Sequence, residues 1–154
     1  MPPTPDAIRT QLRQAVLDGW TANRRATINA AVPLSYIIDA TQGIVVITGD
    51  YSDAEEWQNL LARILTDPQM RGGFGFLRDL REATTPVDAG TVVGLMEAVR
   101  RFWPLLQPSR AAVLTPREFD PAAFAAHALA DTFGLPLRMF TSYDAAMEWL
   151  REGS

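Results

Sequence analysis

The run Ile44-Val45-Val46-Ile47 is apolar and β-branched at every position. A strand with one wet face alternates, so this one is expected to be covered on both faces. Just before it stand Tyr36-Ile37-Ile38 and the turn Asp39-Ala40-Thr41-Gln42-Gly43. Two β-rich runs around a turn with a glycine free to take positive φ predict a hairpin. Three more short apolar runs follow, at 74–77, 111–114 and 137–140, each trailed by a helical pattern.

The helices announce themselves by their ends. Ser52 and Glu55 form an S-x-x-E capping box, and Trp57, Leu60, Leu61, Ile64 and Leu65 then make one apolar stripe. Thr66-Asp67-Pro68 stops it, because the residue before proline avoids the helical region. Past the run at 74–77, residues 79–87 read as a polar loop and 88–103 as a long helix. Val92, Leu95, Met96, Val99 and Phe102 face inward and Pro104 is its end. Asp120-Pro121 opens an alanine-rich helix as cap and first-turn proline, with Gly134 as its left-handed stop. Ser142 caps a last helix whose Ala145, Ala146, Trp149 and Leu150 face inward.

Strands alternating with helices imply right-handed crossovers and a parallel sheet, with the hairpin strand antiparallel to it. The expected class is α/β: a mixed, mostly parallel sheet flanked by helices, spanning 34–154. Ahead of it, residues 1–33 form an N-terminal helical extension. There Thr4-Pro5-Asp6 is a helix start, and Ile8, Leu12, Ala15 and Val16 share a face. Such a face must be buried on its own domain, over an edge, or against a second copy as a homodimer.

Composition narrows the function classes. A net charge of −4 is a poor basis for binding phosphates, so no nucleic-acid partner is expected. With no cysteine, thiolate catalysis, zinc ribbons and disulfides are out. The start lacks the pattern of a signal peptide, and no apolar run nears the ~20 residues that cross a bilayer. The expected location is the cytoplasm. No cofactor is implied.

The order of elements and three short signatures resemble the anti-sigma-factor-antagonist (STAS) domain and its SpoIIAA-like relatives. IVVITGDY at 44–51 is similar to the family's apolar strand followed by glycine. GLPLRMFTSYDAAMEWL at 134–150 resembles its last strand and helix. Residues 76–94 resemble the strand, loop and helix that carry the regulatory site. The ending looks more like the stand-alone branch, which is associated with lipid-type ligands. The resemblance spans roughly 34–151 and implies the same fold. In phosphoregulated members an Asp-Ser-[Ser/Thr]-Gly run opens the helix. Here Asp88-Ala89-Gly90-Thr91 stands in that place, with Ala89 where the acceptor serine would be. The usual serine switch is therefore not expected.

The binding surface expected from these residues comprises Asp79, Arg81, Thr84, Thr85, Asp88, Ala89, Gly90 and Thr91. They crowd the carboxyl end of a strand, where open α/β sheets collect ligands and partners. They can form a polar recognition rim, or Asp79 and Asp88 can be a carboxylate pair with divided pKa values. In the plainer reading Asp79 pairs with Arg78 or Arg81, and Thr85 or Asp88 caps the helix. His127 shares a helix face with Asp131, but without a second histidine or a cysteine the set is too thin for zinc. The aromatics at 57, 102, 103, 124, 133 and 149 read first as core and second as the lining of an apolar pocket. No local motif signals an enzyme. The sequence thus favours a regulatory or protein-interaction module, and as alternative a binder of a small apolar or lipid-like molecule between sheet and helices.

Overall fold

The computed structural model describes residues 5, 32–50, 53–83, 89–116 and 121–153. The N-terminal extension apart from Pro5, Val32 and Pro33, together with Thr84, Thr85, Asp88, Ser52 and Asp120, thus lies outside the described residues. The hairpin is present as β1 (Ser35–Asp39) and β2 (Ile44–Thr48), paired antiparallel with Ile37 opposite Val46. Gly43 takes φ +67°, as the tight turn requires. Next come α1 (Ala54–Leu65), β3 (Gly75–Asp79), α2 (Ala89–Leu106), β4 (Ala111–Leu114), α3 (Pro121–Phe133), β5 (Leu137–Phe140) and α4 (Tyr143–Glu152). The strands lie in chain order in one five-stranded sheet, and β2 to β5 are parallel. The expected α/β class is the one observed.

Chain-order strands with same-handed crossovers send every crossover helix to one face. Accordingly α1, α2 and α3 pack with Val45, Ile47, Phe76, Val113 and Leu137 in the larger core. The helix α4 follows the last strand and crosses nothing, so it is free to take the other face. There Ala146, Met147 and Leu150 sit on Ile44, Leu77, Ala112 and Leu114. Both faces of β2 are used, which is why its sequence does not alternate.

Four expectations are corrected. The cap of α1 is Asp53, whose Oδ1 accepts from Glu56 N–H at 2.8 Å. Asp-x-x-Glu overlaps the Ser-x-x-Glu box by one residue, and aspartate caps at least as well. β3 lies at Gly75–Asp79 rather than 74–77: Arg78 is buried inside the strand, and Asp79, read as the first loop residue, is its last. Pro104 does not end α2, which continues to Leu106. Proline costs a helix one N–H and crowds the preceding turn, yet the Gln107 N–H still reaches Trp103 O at 2.8 Å. Gln107, at φ +50°, marks the true exit. In α4 the inward set is Ala146, Met147 and Leu150; Ala145 is exposed and Trp149 half-buried. The Ser142 cap holds as expected, its Oγ accepting from Ala145 N–H at 3.2 Å.

Candidate functional site

Strand β3 ends on Asp79, and the chain then turns so that Arg81 folds back over it. Asp79 Oδ1 accepts from the Arg81 backbone N–H and from its Nε, both at 3.0 Å, and Oδ2 accepts from Nη2 at 2.8 Å. Of the two arginines the sequence offered, Arg81 makes these hydrogen bonds. Its guanidinium lies 5.3 Å from the ring centre of Tyr143, which opens α4 and stays exposed.

Burial pushes the Asp79 carboxyl up. The hydrogen bonds from Arg81, helped by its charge and that of Arg78, outweigh this and hold the carboxyl below the ordinary aspartate range. A general acid needs the opposite shift, so Asp79 is suited to anchoring Arg81 and not to giving up a proton. A depressed folded pKa stabilises the fold above the unfolded value, and that contribution disappears as pH falls through the folded one. Urea denaturation of the wild type and Asp79→Asn is therefore expected to show a gap at pH 7 that shrinks as the pH falls below the ordinary aspartate range. A gap of constant size would mean that the carboxylate charge is not what counts.

Ala89 begins α2, at the place the resemblance gives the phospho-acceptor. Gly90 is exposed and Thr91 half-buried in the first turn. Thr84, Thr85 and Asp88 lie outside the described residues, so the described rim consists of Asp79, Arg81 and Tyr143. His127 Nδ1 is 3.9 Å from Asp131 Oδ2, too far for a hydrogen bond. Among the described residues no group of three His, Cys, Asp or Glu can hold a metal ion, and no helix is long and apolar enough to cross a membrane.

One residue before Asp79 the side chain points to the opposite face. Arg78 is buried, donating from Nη1 to Ile47 O at 3.3 Å and from Nη2 to Gly49 O at 2.8 Å. Its guanidinium carbon is 5.5 Å from the centre of the Trp57 ring on α1. These two residues form one wall of a cavity of about 70 Å³ between α1, α2 and the sheet. Leu61, Phe76, Val99 and Trp103 supply much of the rest, and Val99 and Trp103 are only half-buried. Trp57 and Trp103 therefore line a cavity. Phe124, also weighed as core or pocket, is neither, being 55% exposed.

Set beside known family models, curated proteins and solved structures, the chain matches none of them. Sequence reasoning missed Arg78 and Tyr143. Arg78 shares the strand face of Phe76, two residues earlier, and that alternation was the available signal. Tyr143 carried no signal, since its place beside Arg81 depends on α4 crossing back under β3 and β4.

Proposed function

We propose that this chain is a non-enzymatic binding module that holds a small apolar group between α1, α2 and the sheet. The observation that carries this reading is the cavity. It is lined almost wholly by hydrocarbon, and its rim is formed by half-buried side chains of α2. Largely apolar hollows with a few fixed polar groups are the usual form of small-molecule sites. Its volume of about 70 Å³ is about half that of an apolar cavity known to admit benzene, ~150 Å³. What enters is therefore small: a xenon atom, a short branched alkyl group, or the end of a lipid-like chain. Asp79 lends support, because its tie to Arg81 withdraws the best-placed carboxylate from proton transfer.

Xenon is the probe that tests this. In the full chain, ¹²⁹Xe shifts and methyl spectra are expected to show saturable binding that moves Leu61, Val99 and Leu137. Val99→Phe fills the space and is expected to abolish it while the thermal midpoint is kept. Absence of binding to the wild type, or equal binding to the filled variant, would overturn the reading.

A second reading rests on the rim. Tyrosine and arginine are the side chains on which protein interfaces most often turn. Here an exposed Tyr143 lies under an Arg81 already fixed by Asp79. That is the surface a regulatory module of the STAS or SpoIIAA-like type would offer a partner. The chain-order sheet and the start of α2 at Ala89 support that kinship, and Ala89 in place of serine leaves the module without the usual switch.

A further inference from the structure

The face of the sheet that bears α4 is only half covered. The strand register lines up one apolar row across it: Ile37, Val46, Leu77 and Ala112. The helix α4 sits on Leu77 and Ala112, which are buried. At the other end of the row Val46 is half-buried and Ile37 is 70% exposed, the most open large apolar side chain among the described residues. A lone exposed isoleucine says little. One at the centre of a strand, continuing a buried row, marks a place with room for another element.

The dimensions of that place select the occupant. Two strands present a strip about 10 Å wide, and five residues make it about 17 Å long. An α-helix is about 10 Å across, and fourteen residues of helix run about 21 Å. Residues 4–17, of which only Pro5 is among the described residues, are of that length, with Ile8, Leu12, Ala15 and Val16 at helical spacing. Its tether ends at the sheet: Val32 N–H donates to Asp50 Oδ2 and Val32 O accepts from Asp50 N–H, each at 2.9 Å. Between 17 and 32 the chain reaches roughly 45 Å when extended, more than the sheet is wide. Arg9 and Arg13 flank the stripe, and the strip ends at Asp39, whose carboxylate accepts hydrogen bonds from the neutral Gln42.

We propose that residues 4–17 dock as a helix over Ile37 and Val46, beside α4, completing the second helical layer. A second copy meeting the same strip would bury on the order of 200 Å² a side, far short of the ~800 Å² that stable dimers use. The tethered segment does not face that shortfall, because its effective concentration is millimolar.

The chain has no cysteine, so paired cysteines can be read without background. Ile37→Cys is combined in the full chain with Ile8→Cys, Leu12→Cys or Val16→Cys, and for comparison with Arg9→Cys or Arg13→Cys. At least one stripe pair is expected to close an intrachain disulfide roughly tenfold faster than either arginine pair. Equal rates for the stripe and the arginine positions would overturn the proposal, and so would no closure at all. Disulfides between chains in place of within them would assign the strip to a second copy.

Discussion

Replacing Gly49 by alanine is expected to destabilise the protein by about 4 kcal/mol or more, among the largest losses a single methyl can cause. Gly49 follows β2 at φ +104°, a conformation side chains rarely adopt, and a Cβ there would stand 2.2 Å from Pro33 O and 2.8 Å from Leu34 Cα. Those neighbours are backbone and cannot swing aside. Relief requires the two segments to part, which breaks the Val32–Asp50 pair and lifts Leu34 out of the core. Gly73 is the comparison. It has φ +89° but nothing within 4 Å of the same methyl. Gly73→Ala should cost only the backbone strain, about 1–2 kcal/mol. Urea denaturation of both variants separates strain from collision; equal losses would show that the close approach at Pro33 is unimportant.

The elements that sequence made legible are those whose cause is local. The hairpin is announced by β-branched runs around Gly43, the end of α3 by Gly134 at φ +73°, and the start of α4 by Ser142. Each rests on one residue's backbone preference or one hydrogen bond, and tertiary packing does not oppose it. Where packing decides, local reasoning went astray. Pro104 should break a helix, but in the last turn only one bond is lost and the helix runs on to Leu106. Trp149 should face the core by size. Instead it lies between the Arg110 and Arg138 guanidiniums, 3.8 and 4.1 Å from their carbons, and donates from Nε1 to Ala111 O at 3.3 Å. Met147 takes the inward place.

The candidate site divides in the same way. The Asp79–Arg81 tie is a contact between residues two apart, and the sequence offered it beside an Arg78 partner that the structure turns to the other face. The cavity was visible only as a surplus of aromatics, since which of them line a space depends on how α1 and α2 settle on the sheet. Its charged wall was signalled only by the alternation that puts Arg78 on the strand face of Phe76.

That charged wall gives the second large effect. Arg78→Ala is expected to lose about 3–5 kcal/mol, because it orphans two buried carbonyl acceptors and leaves a void against Trp57. Three substitutions rank the contributions. Arg78→Lys keeps the charge, but its single ammonium has no planar fork to span Ile47 O and Gly49 O. Arg78→Met keeps most of the volume and satisfies neither carbonyl. The expected order of loss in urea denaturation is Ala, then Met, then Lys. The same alanine variant enlarges the cavity, so it should take up more xenon than the wild type even as the fold weakens. If Arg78→Met proves as stable as the wild type, the carbonyl bonds contribute nothing net and the arginine serves only as filling. If Arg78→Ala binds no more xenon, the cavity does not extend to that wall and the apolar site lies wholly between Leu61, Val99 and Trp103.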